Sequence, residues 1–181
     1  MKKGTLGLLA FLAAALLLAG CAGDPVAKKQ RHYAKGAQYL TAGKYNEAII
    51  EFRGALQIDP GFAEAHHQLG LAYRRKGWVV DARFELEKAA GLKPGASTLA
   101  LAMADLLLEV GLAEDALKAI QPVVQSESRS ARAYQLLGRA LTLKGEVSQA
   151  QTAFKTALEH DPKLADAHAG LGKLFRGERK R

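Results

Sequence analysis

Apolar residues recur at helical spacing over most of the chain. Ala48, Phe52 and Ala55 stand at i, i+4 and i+7 and mark one stripe of a helix. Leu69 and Tyr73, four apart, mark the stripe of another. Gly43, Gly77, Gly111 and Gly145 punctuate the pattern every 34 residues, where a left-handed residue ends a helix and lets the chain reverse. Pro60, Pro94 and Pro162 fall where the second helix of a pair must stop. The expected helix pairs are residues 29–42 and 45–58, 63–76 and 79–92, 97–110 and 113–125, and 131–144 and 147–160. Residues 165–176 add a single capping helix, and 177–181 are a basic tail. Pro122 sits inside the second helix of the third pair, so a kink or an early end near Gln121 is expected there.

The same interval governs side chains. Asp59 to Gly70 reads Asp-Pro, then Ala, Ala-His and Leu-Gly, and Asp161 to Gly172 repeats those types 102 residues later, three periods of 34. Units therefore begin at Lys29, Ala63, Ser97 and Ala131, with a partial fifth at Ala165. Small residues at Gly36, Gly70 and Gly138 let paired helices approach closely. Each unit is a helical hairpin that cannot cover its own apolar face, so stacking must cover it.

The N-terminus differs. Lys2 and Lys3 precede an uncharged, Leu- and Ala-rich run that ends at Leu18-Ala19-Gly20-Cys21. A basic start, an apolar stretch and small residues at its end make a secretory signal; a retained membrane helix of the same length is the competing reading. The last four residues resemble the bacterial lipoprotein lipobox. That resemblance implies removal of residues 1–20, a lipid (palmitate-bearing) anchor on Cys21 and a tether over 21–28. Acyl chains contribute about 0.8 kcal/mol per buried CH₂, so such an anchor holds without a protein span. Ala22 rather than Asp after the Cys implies the outer membrane of a two-membrane bacterium, facing the periplasm, or the cell membrane where there is one membrane.

Composition narrows the chemistry. The 181 residues are 49% hydrophobic with a net charge of +8, which becomes +6 without Lys2 and Lys3. One Cys and five scattered His exclude a disulfide framework and a multi-Cys metal site. No Gly-rich phosphate loop or catalytic constellation occurs, so no enzyme activity, metal or cofactor is expected. His66 and His67 are adjacent and point apart on a helix. His32, His66 and His168 share one repeat position and are expected to line the core. Asp59 and Asp161 precede Pro and read as turn residues. The modest charge and the secretory signal argue against a nucleic-acid partner. Arg176, Arg179, Lys180 and Arg181 read as a solvated tail or as a contact for anionic lipid or cell-wall polymer.

With Gly36, Tyr39, Ala48, Phe52, Ala55 and Pro60 in the first unit, and Leu69, Gly70, Tyr73, Ala82, Leu86, Ala89 and Pro94 in the second, the chain resembles the tetratricopeptide repeat (TPR) family. The fourth unit matches through Leu137, Gly138, Leu141, Ala150, Phe154, Ala157 and Pro162. The third is weaker, with Ala104, Leu107, Gly111, Ala116 and Ile120, and Ser128 where Pro is usual. The family Trp is replaced by His32, His66, Ala100, Tyr134 and His168. The resemblance implies an all-α fold, a right-handed TPR α-solenoid of four helical hairpins plus a C-terminal capping helix over 29–176. It also implies a concave groove, lined by the first helices, that holds a protein or peptide partner.

Carried across, the groove positions are Tyr33, Ala37, Leu40, His67, Leu71, Arg74, Arg75, Leu101, Asp105, Leu108, Gln135, Arg139 and Leu143. Arg74, Arg75 and Arg139 are expected to be exposed; Leu71, Leu101 and Leu108 either face the groove or pack between helices. This mixture suits a partner with apolar and acidic residues. Tyr33 and Ala37 stand where some family members place the Lys/Asn clamp for C-terminal carboxylates, so that clamp is not matched. Trp78 and Val80 occupy turn-edge positions that are often polar in other units and mark a candidate edge patch, with packing of Trp78 over its turn as the alternative. Small TPR lipoproteins resemble the assembly lipoproteins of type IV and tight-adherence pilus systems, which implies a scaffold in pilus or secretin assembly. A scaffold for peptidoglycan enzymes is the second reading, and an enzyme with an unrecognised site the third.

Overall fold

The chain folds as a row of stacked α-helical hairpins, seen in a computed structural model that describes residues 24–178. The helices are α1 (Pro25–Thr41), α2 (Tyr45–Ile58), α3 (Ala63–Arg75), α4 (Val79–Leu92), α5 (Ser97–Glu109), α6 (Ala113–Ser126), α7 (Ala131–Lys144), α8 (Val147–His160) and α9 (Ala165–Glu178). Among the described residues there is no strand, and no helix is long and apolar enough to cross a membrane. The signal segment, Cys21 and Arg179 to Arg181 lie outside the described residues.

Four turns have the same construction. Gly43, Gly77, Gly111 and Gly145 have φ of 73–80°. Just after each, the N–H of Lys44, Trp78, Leu112 and Glu146 donates to the carbonyl five residues back, at Tyr39, Tyr73, Leu107 and Leu141, each at 2.9 Å. This is the bond that closes a helix through a left-handed residue, and only Gly takes that conformation without a Cβ clash. At the opposite ends of the hairpins, Asp59 and Asp161 accept from the N–H of Gly61 and Lys163 at 3.0 and 3.1 Å, as turn residues do.

Most helix ends fall within two residues of expectation, and two features differ more. Helix α1 begins at Pro25, inside the segment read as a tether. Asp24 caps it by accepting from the Val26 N–H at 3.0 Å, and Pro25 occupies the first helical position, where its missing N–H costs nothing. Helix α6 runs through Pro122 to Ser126, so the expected early end near Gln121 does not occur. Ile120 and Val123 are buried on either side of it. Their packing outweighs the proline penalty, roughly 3 kcal/mol in a helix interior.

Close approach of each first helix to its partner follows from a size complement. A Cβ on Gly36 would lie 2.6 Å from the Phe52 ring, one on Gly70 2.9 Å from Leu86 Cγ, and one on Gly138 2.7 Å from the Phe154 ring. In the third hairpin Ala104 replaces the Gly and the smaller Ile120 replaces the ring; both are fully buried. Phe154 also fills the space at Gly170 and so joins the last hairpin to α9. Leu174 of α9 completes that cluster.

First helices of successive units touch: α1 meets α3, α3 meets α5, α5 meets α7 and α7 meets α9. Among the described residues the second helices α2, α4, α6 and α8 make no such approach to one another. The first helices therefore form the tighter, inner layer and the second helices the outer one.

The repeated histidines behave unequally. His66 is buried, with Nδ1 2.5 Å from Glu85 Oε2 and Nε2 3.0 Å from the Pro60 carbonyl. His32 is half-buried and pairs with Glu51 at 2.6 Å. His168 is exposed, which corrects the expectation that all three line the core. No helix follows α9 among the described residues to cover it, and its Nε2 contacts the Pro162 carbonyl at 2.9 Å.

Gly70→Leu is expected to force α3 away from Leu86 and the Ala82 carbonyl. Overpacking of this kind costs about 1–3 kcal/mol, read as a lower midpoint in urea unfolding with helical content retained before the transition.

Candidate functional site: the concave groove

The inner layer bounds a groove that includes a cavity of about 550 Å³ over α3, α5, α7 and α9. A second cavity of about 500 Å³ continues it toward the first hairpin, lined by Leu40, Leu71 and Tyr45 and sharing Arg74 and Arg75.

Asp105 of α5 organises the floor. Its side chain is only 9% exposed. Oδ2 accepts from Arg74 Nη1 at 2.7 Å and from Arg132 Nη2 at 2.7 Å, and Oδ1 accepts from Arg139. Arg74 comes from the second hairpin, and Arg132 and Arg139 from the fourth, so one buried carboxylate ties three units together. Arg132 also donates to Gln135 Oε1 at 2.8 Å and reaches Asp166 of α9 at 3.3 Å. Glu109 approaches Arg74 Nε at 3.8 Å. Burial by itself would push the Asp105 carboxyl up. Hydrogen bonds from Arg74 and Arg139, with the charges of Arg74 and Arg132, outweigh it and hold the group below its ordinary value.

The sequence-derived groove residues divide into four kinds. Arg74, Arg75, Asp105, Leu108, Gln135, Arg139 and Leu143 line the first cavity. Leu40 and Leu71 line its extension. Tyr33 packs inward, its ring 5.0 Å from Phe62 and 5.9 Å from Phe52, and Leu101 packs on the core of the third and fourth hairpins. His67 lines neither cavity; it is half-buried, and burial pushes its imidazole down. The expected exposure is corrected for Arg74 and Arg139. The Arg74 side chain is 11% exposed and that of Arg139 33%, because both are drawn onto Asp105; Arg75 is exposed.

Arg132, Asp166 and Lys173 line the cavity but were not singled out in the sequence. A signal existed: Asp105 and Arg139 are 34 residues apart, as are Arg132 and Asp166. Residues one period apart are stacked neighbours, so opposite charges at that spacing pair across units.

The two candidate edge residues separate, and Trp78 does not line the cleft that Val80 lines. Val80 is 82% exposed and lines a cleft of about 400 Å³ with Phe84, Val110 and Leu112. Trp78, 46% exposed, stacks on Tyr73 with ring centroids 5.7 Å apart, so it both packs over its turn and shows a face to solvent.

Family models described as TPR repeat and tetratricopeptide repeat match residues 36–77, 63–95 and 101–150. A TPR repeat-containing protein of Pseudomonas aeruginosa is 31% identical over 111 residues, which cover 61% of this chain and 45% of the relative. The chain spans less than half the length of the curated relatives it matches. Among solved structures, Pseudomonas aeruginosa PilF has a TM-score of 0.77 at 22% identity, covering 86% of this chain and 71% of that one. YrrB, described as a TPR protein with an unusual peptide-binding site, has a TM-score of 0.65 at 22% identity, covering 83% and 77%.

Asp105→Asn is expected to lower stability by about 3 kcal/mol at neutral pH, as removing one partner of a buried pair does. The folded-state carboxyl lies below its unfolded value, about 3.9, so its contribution is complete above that value and is lost as pH falls through the folded one. Melting curves from neutral to acid pH should show the two proteins converging only at the acid end.

Proposed function

Since the chain is built of tetratricopeptide repeats, we propose that it is a protein–protein interaction scaffold whose partner, a peptide or a helix, lies in the concave groove. The carrying observation is the continuous groove over the first helices, with Leu40, Leu71 and Leu143 along it and a charged floor at Asp105. Apolar contacts supply affinity there and guanidiniums supply register and selectivity. YrrB, of the same fold, is described as having a peptide-binding site, which makes a peptide ligand a natural form for the partner.

The scaffold is held at a membrane by lipid on Cys21, most directly the outer membrane with the solenoid in the periplasm. The lipobox-like end of the apolar run supports this reading. Two residues separate Cys21 from the helix-capping Asp24, so the solenoid would stand close to the bilayer. Its role is assembly of an envelope machine, of the type IV or tight-adherence pilus or secretin kind. Support for that role is the resemblance to small TPR lipoproteins of those systems.

Two tests follow. A photo-crosslinker replacing the exposed Arg75 should capture a defined partner in cells. Secretin or pilus subunits support the assembly role, peptidoglycan enzymes transfer the scaffold to cell-wall synthesis, and no capture at Arg75 or Leu143 removes the groove reading. Cys21→Ala should leave an unprocessed precursor on a gel, and normal maturation would remove the lipid anchor.

A further inference from the structure

Donors outnumber acceptors at the groove floor. Each guanidinium carries five N–H donors, and three of them converge on the single carboxylate of Asp105. Asp105 accepts one bond from each, and the two nearby carboxylates, Glu109 and Asp166, stand at 3.8 and 3.3 Å. Five cationic and three acidic side chains line the cavity, a balance of +2. Arg132 and Arg139 are 41% and 33% exposed, so their remaining donors are within reach of a ligand.

Gln135 adds an independent sign. It lines the cavity and is fully buried, and its Nε2 has no hydrogen-bond partner. The amide cannot be turned to relieve this. Its Oε1 accepts from Arg132 Nη1 at 2.8 Å, and exchanging the two ends would set NH₂ against a guanidinium N–H. A buried donor without an acceptor is destabilising and calls for an incoming oxygen.

We infer that the groove contains a carboxylate subsite in which an acidic side chain or the C-terminal carboxylate of the partner is held by Arg132, Arg139 and the Gln135 amide. This rests on the groove reading above and specifies the chemistry of its partner. Asp105 is not the ligand's competitor but its organiser. It gathers guanidiniums from two hairpins into one place and leaves their outward donors unspent. Leu108 and Leu143 line the same cavity, so the acidic group belongs beside an apolar residue in the bound segment. The site differs from the Lys/Asn clamp in both residues and place, since it is built on the second, third and fourth hairpins.

The test uses the full chain in detergent and three fluorescent peptides of Leu, Ala and Ser. One has a central Asp and an amidated end, one has Asn and an amidated end, and one has Asn and a free carboxylate. Fluorescence anisotropy should show the Asp or the free-carboxylate peptide binding at least about tenfold more tightly than the Asn amide, the tenfold being about 1.4 kcal/mol. Whichever of the two binds tighter identifies the source of the carboxylate. Raising salt should shrink the preference without any substitution. Arg139→Gln should abolish it, with circular dichroism confirming the fold. The side-chain NH₂ resonance of Gln135 should move on binding of the preferred peptide and stay in place with the Asn amide. Equal binding of all three peptides, or a preference untouched by both salt and Arg139→Gln, overturns the subsite. Charge-blind binding that Leu143→Lys abolishes leaves the groove reading standing. Absence of binding by every peptide overturns the subsite, and in-cell crosslinking at Arg75 then decides the groove reading separately.

Discussion

Everything in this molecule depends on how closely two helices of a hairpin can lie. Phe52, Leu86 and Phe154 occupy the space that a Cβ would need at Gly36, Gly70 and Gly138. With the ring seated there, the first and second helix share a dry seam, and the remaining apolar faces point to the next hairpin. The third unit shows that the constraint is volume and not residue identity: Ala104 adds a methyl where the other units have Gly, and Ile120 stands where Phe52 and Phe154 place a larger ring. That trade keeps the stack unbroken where the sequence pattern is weakest.

Stacking then converts a one-dimensional period into neighbouring positions. Residues 34 apart lie on adjacent first helices, so any charge placed in one unit faces its counterpart in the next. Asp105 meets Arg139, and Arg132 meets Asp166, by this geometry. Asp105 also draws in Arg74, and the resulting knot joins hairpins that are not consecutive in the chain. The groove floor is therefore part of what holds the solenoid in one curvature, and the surface offered to a partner is set by the same bonds.

Legibility differed between levels. Helix positions were readable because glycine at 43, 77, 111 and 145 and the apolar stripes repeat in unbroken register, and both signals are local. The start of α1 was legible in principle: Asp24-Pro25 is a cap followed by a first-turn proline, but Pro25 resembles a linker residue when capping is not considered. At Pro122 the penalty is local, whereas the burial that offsets it is tertiary: Ile120 shares one cluster with Ala104 and Leu107 of its own hairpin and Leu136 and Ala140 of the next. Of the groove residues, Arg75, Asp105, Arg139 and Leu143 fell in the cavity as read, while Tyr33 turned to Phe62 and Phe52. An aromatic ring on a first helix can satisfy either side, and its spacing does not say which.

By itself the sequence determined the order of the helices among the described residues, the reversal points and the stacking of one hairpin on the next, because each follows from residue type at fixed intervals, while the exact helix ends did not. It also placed the candidate groove on the first helices. Only the tertiary structure decided that Arg74 and Arg139 fold back onto Asp105, that Arg132 joins them, and that Gln135 is left with an unused donor. The reason is physical: a long charged side chain chooses its partner by distance and burial in three dimensions, and neither quantity is written in the spacing of residues along the chain.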